Sequence, residues 1–405
     1  MVQPPAARFL DSRTPPHIAT LILVTSLGAL SMNLFLPSLP NMTRYFETEY
    51  SVMQIAVAGY LAVNALLQLV IGPISDRFGR RPVLLACVAG FVLASAGCVL
   101  ATSVEAFLAC RLLQAVIVAG LVLPRAAIRD MVPQAQAASM IGWVTMGMSV
   151  APMVAPALGG VLDDALGWKA NFAALGLLGV VAFWLIWRDM GETATIRRVS
   201  FRSQIADYPG LLRSRRFWGY CATATFSSGA FFAYLGGAPF VGSRVYGLSP
   251  AMLGAYFGAP AIGYLIGNGL SGRYSARLGI NPMILAGTLV TSAGMVAAIA
   301  VFLAGFGTAE TFFGFMVFVG LGNGLVLPNA TAGMLSVRPQ LAGTASGLGG
   351  AITIAGGAAL SALAATMLER GGGAIPLLEL MAVTSLLSLA AIVYTIRRDR
   401  TLPAG

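Results

Sequence analysis

Arg111 and Gln114 sit three residues apart at the head of the run RLLQAVIVAG, Arg111–Gly120. In a helix that spacing places both side chains on one face. A guanidinium inside an apolar run is costly, so the pair is a candidate functional site. The alternative is an arginine snorkelling to the outer surface, because it lies only two turns from its helix start. A second charged set occupies Gly72–Pro82, GPISDRFGRRP, where Gly72, Asp76, Arg77, Gly79, Arg80 and Arg81 stand together. A carboxylate there can accept from a helix N-terminus or pair with an arginine of a neighbouring helix, and such contacts form in one conformational state and break in another. The arginines alone read equally as topological anchors. A third set is uncharged. Tyr60, Asn64 and Gln68 follow one face at four-residue spacing. Together with Asn33, Phe231, Tyr234 and Tyr256 they have the make-up of a mostly apolar small-molecule cavity with a few polar handles. For each aromatic residue the competing reading is packing or contact with lipid.

Other chemistries lack their residues. The one histidine, His17, precedes the first apolar run, and Cys87, Cys98, Cys110 and Cys221 lie inside apolar runs without metal-ligand spacing. No nucleophile–base set and no phosphate-binding glycine loop is present. An enzyme is therefore not expected, nor a metal or organic cofactor.

These residues must be held by membrane-spanning helices. The chain has 405 residues, 57% of them hydrophobic and 10% charged, far fewer charges than a soluble domain carries. Its apolar runs each approach the roughly 20 residues that cross a bilayer. Twelve spans are expected near residues 18–40, 51–72, 82–102, 105–128, 137–162, 168–188, 217–241, 250–271, 281–304, 310–335, 342–367 and 375–396. The long polar stretch 189–216 divides them into two six-helix bundles, 18–188 and 217–396, with short ends at 1–17 and 397–405. The first run is too long for a signal peptide and is read as a retained span. The net charge of +10 comes from arginines in short connections, where topology uses them, and does not point to nucleic acid. With both termini in the cytoplasm, the outside receives only Arg44, Lys169, Arg244 and Arg370.

The halves echo each other. GPISDRFGRRP, Gly72–Pro82, is answered by GRYSARLGINP, Gly272–Pro282, and GLVLP occurs at Gly120–Pro124 and again at Gly324–Pro328. Two matches at nearly one offset argue for duplication, an architecture that places substrate near mid-membrane between the halves.

The G-x-x-x-D-R-x-G-R-R pattern of Gly72–Arg81 resembles the signature loop of the major facilitator superfamily. Arg111–Gly120 resembles that superfamily's fourth-helix arginine motif, associated with proton coupling. Gly142–Gly160 carries Gly147, Ala151, Ala155 and Gly159 at four-residue intervals, with Pro152, Pro156 and Gly160. It resembles the antiporter motif of drug–proton exporters, in which this helix seals or hinges the two halves. Asn33–Pro40 (NLFLPSLP), Ala126–Asp130 and Tyr234–Val241 are similar to stretches of the Bcr/CflA drug-resistance exporters. The resemblance implies a monomeric, multi-pass protein of the bacterial inner membrane, surrounded by the lipid bilayer. Its partner would be a small amphipathic substrate, exported by secondary active transport with the proton gradient as energy source. Where that family has a membrane acid, this chain has Asn33, which cannot titrate. Glu379, about a turn inside the twelfth span, is the remaining acid expected to be partly buried. The cavity residues favour a neutral or weakly anionic compound over a strongly cationic one. The alternative is export or import of an endogenous metabolite on the same fold, with no or atypical proton coupling.

Overall fold

The computed structural model describes residues 8–132, 140, 144, 154–194, 211–338, 342–371 and 373–400, and among them every regular element is helical. Twelve helices follow in chain order: α1 (Ile18–Tyr45), α2 (Tyr50–Phe78), α3 (Arg80–Leu100), α4 (Val104–Met131), α5 (described over 154–166) and α6 (Lys169–Asp189). The second set is α7 (Arg215–Phe240), α8 (Pro250–Tyr256 continued by Gly258–Leu278), α9 (Ile280–Leu303), α10 (Ala309–Val337), α11 (Ala342–Glu369) and α12 (Ile375–Arg400). Nine helices among the described residues are long and apolar enough to cross a membrane. The richly glycine- and serine-bearing α7 and α8 are not among them.

Breaks in the helices have local causes. Pro37 and Pro40 withhold backbone donors, and α1 tightens there into a 3-10 turn, Leu36–Ser38, before resuming. The fourth helix is interrupted by a longer 3-10 stretch, Gln114–Val118, immediately after Arg111. The expected second span stops short at Gly72. In the structure α2 runs on through Pro73 to Phe78, so most of the signature loop is helix and only Gly79 turns the chain. Gly79 has φ +96 and ψ 150, and Gly279 at the repeated position has φ 87 and ψ 162. Only glycine enters that region freely, so the duplication seen in the sequence recurs as the same backbone turn.

The two halves meet unevenly. At the end where α1 passes into α2 and α7 into α8, one apolar core contains residues of both halves, among them Phe35, Leu39, Met53, Tyr234, Leu253 and Phe257. Toward the opposite, arginine-rich end the cores are separate. Ile71, Leu123, Met131 and Ile186 belong to one, and Phe217, Ile284, Met334 and Ile392 to the other. Four hydrogen bonds join the halves among the described residues. Tyr50 Oη donates to Gly236 O (3.1 Å), Gln54 Nε2 to the same carbonyl, Ser51 N to a Glu369 carboxylate oxygen (2.5 Å), and Ala251 N to Asp164 Oδ2 (3.0 Å). All four lie at the shared-core end.

Candidate substrate cavity and its charged surroundings

A cavity of about 320 Å³ lies between the halves. From the first half it takes Met32, Asn33, Gln68, Leu121 and Arg125. From the second it takes Ser228, Phe231, Phe232, Phe257, Tyr264 and Asn323. Asn33 is held by its own helix, its Nδ2 donating to Ala29 O at 2.8 Å. The lining is mainly apolar, and among the described residues it contains no carboxylate.

Of the cavity residues expected from the sequence, Asn33, Gln68 and Phe231 line this space. Tyr60, Asn64, Tyr234 and Tyr256 do not. Tyr60 turns into the first bundle, where its hydroxyl donates to Ser31 Oγ at 3.3 Å. Asn64 is fully buried and makes no hydrogen bond among the described residues. Tyr234 is enclosed by Phe257 and Phe313, with ring centroids at 5.0 and 6.3 Å. Tyr256 stacks on Phe313 at 4.8 Å, and its hydroxyl donates to Glu310 at 3.2 Å. Helical periodicity identifies the face shared by Tyr60, Asn64 and Gln68. It does not say how that face divides between bundle interior and cavity.

Arg111 is wholly buried and does not snorkel. It donates from Nε to Ala56 O (3.1 Å), from Nη2 to Ser31 O (2.9 Å), and from Nη1 to Ser31 Oγ (3.3 Å) and Gln114 Oε1 (2.7 Å). The guanidinium also lies over the rings of Phe35 and Tyr60, at 4.3 and 3.9 Å. Gln114 in turn donates from Nε2 to Ser95 Oγ at 2.7 Å, tying α4 to α3. Among the described residues Arg111 makes no hydrogen bond to Asn33, whose amide serves its own helix. The arginine is satisfied entirely by neutral groups and by the negative faces of two rings. It ties α1, α2 and α4 together beside the 3-10 segment. A bend in α4 at that point would disturb all of these bonds together.

The signature loop is braced within its own half. Asp76 pairs with Arg80 (Oδ1 to Nη1, 2.5 Å), and Arg80 Nε reaches Asp130 Oδ2 at the end of α4 (3.2 Å). The carboxylate of Glu192 accepts from Arg80 N (2.8 Å) and Arg81 N (3.3 Å), capping α3 from the start of the linker. Arg81 Nη2 donates to Trp187 O at 2.7 Å. Arg77 is exposed beside Phe78, its guanidinium 5.3 Å from the ring. Asp76 lies near the end of α2 and Arg80 opens α3, so Asp76 pairs with an arginine of the neighbouring helix, across the turn at Gly79.

In the antiporter-motif helix, Gly142–Val150 (except Val144), Ala151, Pro152 and Met153 lie outside the described residues. The described remainder packs at the seam. A Cβ on Gly160 would strike the Pro250 carbonyl, and one on Gly254 the Pro156 carbonyl, so α5 and α8 touch backbone to backbone. Gly159 faces Leu34 O, and Asn171 Nδ2 donates to Gly159 O (3.1 Å) and Ser38 Oγ (2.8 Å).

Several functional-looking residues escape sequence reasoning. Glu192 and Asn171 act across the fold. So does Asp189, a buried carboxylate that accepts from Leu10 N (2.7 Å) and His17 N (2.9 Å) and holds the N-terminal segment against α6. No local pattern marks such partners. Arg125 did leave a signal, because it falls inside the expected fourth span. Glu379, expected to be partly buried, is exposed on the flank of α12.

The residues from 21 to 401 match the model of the Major Facilitator Superfamily. The chain is 28% identical over 391 residues to a bicyclomycin resistance protein homolog of Haemophilus influenzae, covering 94% of this chain and 98% of that one. It is 32% identical over 337 residues to a chloramphenicol resistance protein of Pseudomonas aeruginosa, covering 80% and 78%. A bacterial homolog of the human lysosomal transporter Spinster, solved in an inward-facing and occupied conformation, superposes with a TM-score of 0.73 at 18% identity over 96% of this chain and 98% of that one. Twelve helices in two similar halves, a cavity between them and a family match over nearly the whole length agree: the chain is a multi-pass membrane transporter belonging to the major facilitator superfamily.

Proposed function

We propose that the protein exports small amphipathic compounds by secondary active transport, with the two six-helix bundles rocking about the cavity and the proton gradient supplying the energy. The observation that carries this reading is the asymmetry of the seam. The cavity is sealed at one end by a shared core and four hydrogen bonds, while at the other end the two cores stand apart. That arrangement is one of the two states alternating access requires. The arginine bias supports both termini in the cytoplasm of a bacterial inner-membrane protein, so the cavity faces the cytoplasm here. Relatives named for bicyclomycin and chloramphenicol resistance support export of antibiotic-like compounds. Asn33, Gln68 and Phe231 contribute to the substrate site, the Arg111–Gln114 network to coupling, and the Asp76–Arg80–Asp130 cluster to gating. The protein works as a monomer.

A second reading rests on the same cavity. With no carboxylate in its lining, movement of an endogenous metabolite without ordinary proton coupling fits as well. Uptake into everted vesicles of a compound panel, alongside metabolite release from a deletion strain, separates the two. Gradient-driven uptake of the drugs supports the first, and metabolite release with no drug uptake supports the second.

A further inference from the structure

We infer that Arg125 is the recognition site for an anionic group, a carboxylate, sulfonate or phosphate, on the transported compound. This rests on the reading of the central cavity as the transport site.

Three arginines of the first half differ in their surroundings. Arg80 has two carboxylates and a hydroxyl. Arg111 has four hydrogen bonds and two aromatic faces. Arg125, about four turns beyond Arg111 along α4, lines the cavity, and its Nε is shielded from solvent without a hydrogen-bond partner. Among the described residues no carboxylate pairs with it. Nor does the chain between 133 and 153, which leads into the described part of α5, supply an acid, since it contains no Asp or Glu. The remaining polar groups of the lining among the described residues, Asn33, Gln68, Ser228, Tyr264, Asn323 and Thr353, are not acids.

A guanidinium offers a planar fork that matches the oxygens of a carboxylate, sulfonate or phosphate. The same cavity is lined by Phe231, Phe232 and Phe257, so the fitting ligand carries one anionic group on an apolar, preferably aromatic, body. The charge also bears on the transport cycle. While the cavity is open to water, solvent within it screens the charge of the half-buried guanidinium, although Nε itself is shielded. Closure over an empty cavity would strand it without a counter-ion, and closure over a bound anion would not. The substrate's own charge then does what a counter-ion from the protein would otherwise do.

The test uses the full-length protein in lipid nanodiscs and two probes with one aromatic frame, 1-anilinonaphthalene-8-sulfonate and its neutral counterpart N-phenyl-1-naphthylamine, with signal from empty nanodiscs subtracted. R125Q is expected to weaken sulfonate binding about 10-fold or more, to leave the neutral probe within about 2-fold, and R125K to fall in between. Equal sulfonate binding by wild type and R125Q overturns the inference. Should R125Q fail to bind either probe, the ratio of sulfonate to neutral affinity decides. A ratio above one in the wild type that drops in R125K supports the inference, and a ratio at or below one overturns it. Binding of the neutral probe with no sulfonate binding overturns this inference and leaves the exporter reading standing. Arg125-dependent sulfonate binding with no movement of either probe into everted vesicles overturns the exporter reading and leaves this one. Failure of the wild type to bind either probe overturns both.

Discussion

The hydroxyl of Tyr50 at the head of α2 donates across the interface to the main-chain carbonyl of Gly236 in α7, 3.1 Å away. Gln54, one turn on, donates to the same oxygen, and the Tyr50 ring packs on Phe240 at 5.2 Å. One carbonyl thus serves both donors where the bundles touch. Such a bond can break and re-form with little cost, because α7 keeps its helical core on either side.

If this seam is the outer gate, enlarging a residue within it will hold it open. Gly160→Val places side-chain atoms where the Pro250 carbonyl now sits. In a background lacking the four native cysteines, Phe231→Cys should then react about 10-fold faster with a membrane-impermeant thiol reagent added from outside. Unchanged reactivity would mean that the α5–α8 contact does not gate access.

Neither Arg111 nor any group it bonds is among the described lining residues of the cavity, which separates its role from binding. Arg111→Lys retains charge but loses the fork that reaches Ser31 and Gln114 at once. Transport should fall about 10-fold or more while equilibrium affinity for a cavity probe stays within about 2-fold. A parallel loss of affinity would place Arg111 in the binding site after all.

Gly79 and Gly279 share a backbone conformation but not surroundings. At Gly79 a Cβ would also collide with the Glu192 carboxylate, whereas at Gly279 its nearest neighbour is Pro282 Cδ at 3.9 Å. Both alanine substitutions carry backbone strain of about 1–3 kcal/mol, and Gly79→Ala additionally displaces the α3 cap. Thermal unfolding in detergent should rank wild type above Gly279→Ala above Gly79→Ala. Glu192→Ala should cost about 1 kcal/mol through the cap alone. Equal melting of the two glycine variants would deny the cap its role.

What could be read in advance follows from the range of each interaction. The twelve helices, the repeat and the turn at Gly79 are local or periodic, and composition declares them. Arg111 and Gln114 announce themselves because charge in an apolar run is expensive. Two of the four hydrogen bonds of Arg111 go to backbone carbonyls of α1 and α2 that no side-chain pattern encodes, and Glu192 meets Arg80 across 112 residues. Tyr60 and Tyr234 show the limit from the other side. In a bundle whose helices are buried on several faces, an aromatic residue suits the interior as well as the cavity, and only the packing of Phe35, Phe257 and Phe313 decides.

Asn33→Asp would introduce the carboxyl that the described lining of the cavity lacks. Burial raises a carboxyl's pKa, and a neighbouring cation lowers it. Below that pKa the variant is neutral and should resemble the wild type. As pH rises through it, the new carboxylate repels an anionic ligand. Affinity for the naphthalene sulfonate should therefore fall with rising pH in the variant and stay flat in the wild type. Equal flatness in both proteins would place residue 33 out of reach of the bound anion.

The account stands most directly on transport in energised everted vesicles, whose lumen is acidic. Amphipathic compounds, including a naphthalene sulfonate and its neutral counterpart, should accumulate inside when the protein is present and leak out when the gradient is collapsed. Accumulation indifferent to collapse of the gradient, or none for any compound while the gradient holds, would contradict a gradient-driven exporter.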